Sequence, residues 1–194
     1  MARECVAGRG PLSCCVAAAV WAFAGVASVR AADGVWTGVS DGNWSAASNW
    51  KDGVYASGVG ATAYFTNGSA VQVIQDVSGL TLGSLRFANA NVWVTNSAIT
   101  LNGGGTATLA VDGNAVTATV EVTLSPVAGT VLVKEGDGVL RLNKYLSGLS
   151  GVTLNGGLTY LGFLPNSDGL NVGGNTITIN AGASLKTGGA NQIN

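Results

Sequence analysis

Residues 131–162 read VLVKEGDGVLRLNKYLSGLSGVTLNGGLTYLG, and the fold is decided there. Val139, Leu140 and Leu142 are apolar against the polar Arg141 and Asn143. Val152, Leu154, Leu158 and Tyr160 repeat the short, period-two pattern of half-buried strands. On this reading Leu140 and Leu158 both face a core. Between the runs stand Gly136-Asp137-Gly138, Ser147-Gly148, Ser150-Gly151 and Asn155-Gly156-Gly157. These are turn signals, because Gly, Asn and Asp accept positive φ. Strand and turn alternate with no helix between them.

The same rhythm runs outward from this stretch. Val71, Val73 and Ile74 form one apolar strand, and Leu80, Leu82, Leu85 and Phe87 the next. Val92 and Val94, Ile99 and Leu101, then Ala107, Leu109 and Val111 follow, and Val116, Val120, Val122 and Leu124 come after them. On the far side, Leu170 and Val172, Ile177 and Ile179, and Ala183 and Leu185 continue it. Such spacing fits an all-β chain, either a β-sandwich or a β-solenoid. The solenoid is favoured because each rung returns the chain without a helical crossover. Asn and Thr also recur near glycine (Asn102, Thr153, Asn155, Asn175, Thr178), where stacked side chains can bond along an axis. Rungs of about 20–25 residues, stacked about 4.8 Å apart, would number roughly five or six.

The central stretch resembles the autotransporter-associated β-strand repeat, of the form K-x-G-x-G-x-L-x-L, a tyrosine-containing link, then G-x-T-x-x-x-G and leucine. The matching residues are Lys134, Gly136, Gly138, Leu140, Leu142, Tyr145, Gly151, Thr153, Gly157 and Leu158. The resemblance implies a rung of a right-handed parallel β-helix in an exported, passenger-like bacterial protein. It implies structural roles for these residues and no catalytic one.

Residues 32–69 differ from the repeat region at 70–194. They carry Trp36, Trp44, Trp50, Tyr55, Tyr64 and Phe65. Two readings stand. Aromatic faces bind sugar rings, so Trp36, Trp44 and Trp50 could form a glycan-stacking platform. Large aromatics can equally cap the open end of a β-helix. The cap is favoured.

Residues 1–31 read as a cleaved signal peptide. Arg3 and Arg9 give a basic start, an uncharged apolar run follows, and Val29-Arg30-Ala31 offers small residues before a cut at Ala32. The run is shorter than a membrane span, so no membrane insertion of the mature chain is expected. Cys5, Cys14 and Cys15 all lie in this leader, which leaves the mature chain without disulfides. After the cut, six basic and nine acidic residues remain, a net charge of −3. Without a basic patch, nucleic acid is not an expected partner. The last residues stop inside another rung, which reads as a repeat region cut short.

The chain contains no histidine. With no mature cysteine, Ser-His-Asp and Cys-His catalysis and imidazole or thiolate zinc sites are not expected. The acids Asp76, Asp112, Glu121, Glu135, Asp137 and Asp168 are scattered. Glu135 and Asp137, like Asp41 with Asn43, could in principle hold calcium, but solvated turns are the plainer reading. No catalytic residue, cofactor or metal is therefore assigned. The expectation is a non-enzymatic, exported repeat domain with an adhesive or structural role at the cell surface. Carbohydrate binding through the three tryptophans is the alternative, and a polysaccharide-degrading β-helix is favoured less. Expected partners are a surface glycan or other repeat domains.

Overall fold

The computed structural model describes residues 31–89, 91–162, 170–173 and 175–188. The expected signal peptide up to Arg30, its cysteines, Asp168 and the last six residues lie outside the described residues. The chain begins with β1 (Gly34–Trp36) and β2 (Gly42–Asn43), followed by two 3-10 turns at Ala47–Asn49 and Lys51–Gly53. The next turn holds β3 (Thr62–Phe65), β4 (Val71–Gln75) and β5 (Thr81–Leu82). Another holds β6 (Ser84–Ala88), β7 (Val92–Asn96) and β8 (Ile99–Leu101). Then come β9 (Thr106–Asp112), β10 (Thr117–Glu121) and β11 (Leu124–Pro126). The final turns hold β12 (Val131–Glu135) with β13 (Val139–Leu142), β14 (Gly151–Leu154) with β15 (Gly157–Leu161), and β16 (Ile177–Ile179) with β17 (Ala183–Thr187).

These strands stack into three sheets. The first runs β1-β3-β6-β9-β12-β14-β16, the second β2-β4-β7-β10-β13-β15-β17 and the third β5-β8-β11. Leu146 and Leu170 extend the third sheet as single parallel bridges. Every pairing between these strands is parallel, as in the β-solenoid expected and unlike the antiparallel layers of a sandwich. About five turns stack in this way.

The period is legible in one inward column of the first sheet: Ala63, Leu85, Leu109, Lys134, Leu154, Ile179. Its neighbour runs Trp36, Phe65, Phe87, Val111. In the second sheet Val71, Val92, Ala118, Leu140, Thr159 and Leu185 align, beside Val73, Val94, Val120, Leu142 and Leu161. In the third, Ile99, Leu124, Leu146 and Leu170 align. Most of these side chains are closed to solvent. Each buried aliphatic contributes roughly 1.5–3 kcal/mol, and only a neighbouring turn completes that burial.

Three strand readings need correction. Leu158 does not face the core; Thr159 and Leu161 do. The cause is the turn before β15, where Gly157 (φ +62) packs against the backbone of Asp137 and Gly138. That contact aligns Leu158 with the outward Val139. In β4 it is Gln75 that turns inward with Val71 and Val73, while Ile74 lies on the other face. Gln75 is tolerated there because its Nε2 donates to the Ala98 carbonyl at 2.7 Å and its Oε1 accepts from the Val77 N–H at 2.6 Å. Leu82 and Leu85 fall in different sheets, since Gly83 turns the chain between β5 and β6.

The aromatic segment is the first layer of the stack as well as its cover. It contributes β1, β2 and β3, so the column is continuous across residue 70. Trp36 meets Trp50 edge-on at 5.2 Å between centroids, Trp44 lies 4.9 Å from Trp50, and Phe65 stacks on Phe87 at 5.1 Å. Each indole N–H is satisfied internally: Trp36 donates to the Gly38 carbonyl, Trp44 to that of Ala56, and Trp50 to that of Trp44. Such a plug covers the end of the core without leaving an indole N–H stranded.

Candidate functional site

A parallel ladder alternates its side chains, so every inward column has an outward partner. In the second sheet the outward column reads Gln72, Trp93, Thr119, Arg141, Tyr160 and Lys186, one residue per turn. Trp93 is forced outward because Val92 and Val94, its neighbours in β7, both point into the core. It is 46% exposed, whereas Trp36, Trp44 and Trp50 are between 0 and 3% exposed. Those three rings therefore present no face for a sugar to stack on.

Around Trp93 the surface dips into an open groove of about 440 Å³, lined by Asp41, Gln72, Asn91, Trp93, Thr117 and Thr119. The groove is built by the same bonds that join successive turns. The Asp41 carboxylate accepts the Gln72 N–H at 2.7 Å, and the Asn91 side-chain oxygen accepts the Thr117 N–H at 2.7 Å. Gln72 donates from Nε2 to the Thr95 hydroxyl at 3.1 Å. The indole N–H of Trp93 donates to Glu121 Oε2 at 2.8 Å, which fixes the ring's outer edge. Further along, the Arg141 guanidinium lies 4.9 Å from the centre of the Tyr160 ring, within cation–π range.

Four other acids serve as staples. Asp33 accepts the Thr62 N–H, Asp137 accepts the Gly113 N–H, and Asp112 pairs with Arg86 at 2.8 Å. Asp76 takes both the N–H and the hydroxyl of Ser45, at 2.8 and 2.6 Å. Desolvation pushes its carboxyl upward, but the bonds from Ser45 outweigh this and hold it below the ordinary range. Among the described residues no three acids converge as metal ligands. Asp137 and Asp41, weighed above as turn ligands for calcium, each spend an oxygen on a backbone N–H of another turn.

The repeat-motif residues also find their places. Lys134 is wholly buried, its Nζ donating to the carbonyls of Gly136 at 2.6 Å and Gly156 at 2.9 Å. Burial lowers its pKa, partly countered by Asp137 and Asp112. Gly136 has φ +76, and a side chain on Gly138 would begin 2.6 Å from Val111 Cγ1. Leu140 and Leu142 fill the core, while Gly151 opens β14 and Thr153 stands outward between Val133 and Thr178. Tyr145 is partly exposed, its hydroxyl accepting from Asn171 at 3.2 Å. Asn155 and Asn180 bond side chain to side chain at 2.7 Å, a rung-to-rung amide contact of the kind expected.

No family model, curated protein or solved structure matches the chain. Among the described residues no helix is long and apolar enough to cross a membrane. Trp93, Glu121 and the groove around them were not singled out as a site by sequence reasoning. The signal was available: an aromatic between two valines in a period-two strand must face away from the core that the valines fill.

Proposed function

We propose that this chain is a non-enzymatic, exported β-solenoid domain that serves adhesion or surface architecture. One observation carries the reading. The second sheet displays a continuous outward file (Gln72, Trp93, Thr119, Arg141, Tyr160, Lys186) on a stack whose core is independent of it. Aromatic and Arg side chains are the residue types that anchor recognition surfaces, and a rigid support lowers the ordering cost of using them. The resemblance of residues 131–162 to the autotransporter-associated repeat supports export and display. The acids, spent largely on joining turns, supply stability in place of chemistry.

Export is tested by intact mass and N-terminal sequencing of the protein secreted by its native host. The proposal expects a mature chain beginning at Ala32; retention of the first 31 residues in the cell would contradict it. Adhesion is tested with beads coated in the full chain and offered to bacterial cells, animal cells and matrix proteins. Retention should fall at least several-fold when Trp93 and Tyr160 are both changed to Ala with the fold intact. Beads that adhere no better than uncoated ones on every surface would refute the adhesive role.

A further inference from the structure

We infer that the groove beside Trp93 is a binding site for a neutral carbohydrate chain. The inference rests on the adhesive reading and names its ligand class. Trp93 offers a large, exposed ring face at low entropic cost, because its indole N–H is tied to Glu121 and the side chain has only two rotatable bonds. A pyranose ring has the matching shape: a flat apolar face of C–H bonds with hydroxyls at its rim.

The rim of the groove has the complementary chemistry. Asp41 uses Oδ1 on the Gln72 N–H, and its second oxygen takes no bond from the described residues. Asn91 is oriented by its bond to the Thr117 N–H, which leaves its amide nitrogen as a directed donor. Gln72 is committed through Nε2 to Thr95 and keeps its carbonyl oxygen as an acceptor. Thr117 and Thr119 line the same groove with hydroxyls. Fixed donors and acceptors around one aromatic platform suit a polyhydroxylated ligand, and the volume of about 440 Å³ falls in the range of small-ligand sites.

Charge chooses among glycans. Two carboxylates, Asp41 and Glu121, border the platform. The cation in the same outward column, Arg141, stands two turns from Trp93 and is turned onto Tyr160. Uronic or sialic acids would meet like charge, whereas neutral hexoses would donate hydroxyl protons to these oxygens. The site differs from the buried tryptophans at the end of the stack.

The test is a glycan array carrying neutral and acidic oligosaccharides, probed with the full chain, with bead adhesion run in parallel. Binding to neutral glycans is expected, weakened at least about tenfold by Trp93→Ala and less by Trp93→Phe, which keeps a ring face. Both variants should retain the wild-type circular dichroism spectrum, because the ring lies outside the core. Binding confined to acidic glycans, or neutral binding unchanged in Trp93→Ala, would overturn the inference. Adhesion without any glycan binding would also overturn it while leaving the adhesive role standing; loss of both would remove the two together.

Discussion

Lys134 shows how far a single residue can depart from its usual place. It occupies the inward column between Leu109 and Leu154, where every other turn of the repeat region places an aliphatic. Its ammonium replaces water with two turn carbonyls on successive rungs. Lys134→Met would keep the volume and remove the donors, so the Gly136 and Gly156 carbonyls should cost about 1–3 kcal/mol together, read as a lower denaturation midpoint. The pH response has a defined sign. The folded-state pKa lies below that of a free lysine, so the unfolded chain binds the extra proton between the two values. Wild-type stability should therefore gain a rising contribution as pH climbs toward about 10.4, which the Met variant lacks. Asp76 has the same sign of dependence, in an acid window. Its lowered pKa contributes stability above the unfolded value near 3.9, lost as pH falls through the folded value. The stability gap between wild type and Asp76→Ala should shrink in melts taken below about pH 4. The repeat motif named Lys134 as a structural residue; its bond to the Gly156 carbonyl depends on a neighbouring turn that no local pattern contains.

At the scale of the strand, alternation was readable wherever a turn did not reset it. Val92 and Val94, Leu109 and Val111, and Val152 and Leu154 face inward as period two requires. β15 broke the reading because Leu158 and Tyr160 are the larger apolar pair, yet Gly157 sets the phase that turns Thr159 and Leu161 inward. The consequence is measurable. Leu140→Ala should cost about 2–5 kcal/mol in equilibrium unfolding, because the site is closed on all sides by β10, β15 and the core. Leu158→Ala should cost well under half as much; equal losses would return Leu158 to the interior. The candidate site was missed for the same reason that the core was found. Apolar residues were counted inward, and Trp93 stood between two of them on the other face.

For the whole molecule, the parallel ladder joins hydrophobic core to the proposed recognition surface. One period aligns leucines within, staples acids to backbone N–H groups at the corners, and lays Trp93, Arg141 and Tyr160 along one outer face. The solenoid itself was legible from strand and turn spacing, whereas the register between turns was not, because turn lengths vary from rung to rung. Register is also what the display surface depends on. It can be measured directly with paired cysteines, since Cys5, Cys14 and Cys15 are the chain's only cysteines and all precede the proposed mature start at Ala32. Ser84, Thr108 and Val133 stand in one outward column on three successive turns. Adjacent strands are about 4.8 Å apart, within disulfide reach, and two turns are roughly twice that, beyond it. Under mild oxidation of the mature chain, the pairs Ser84→Cys with Thr108→Cys and Thr108→Cys with Val133→Cys should close intramolecular disulfides, and Ser84→Cys with Val133→Cys should stay reduced. Closure of the distant pair, or failure of both adjacent ones, would contradict the stacked parallel register.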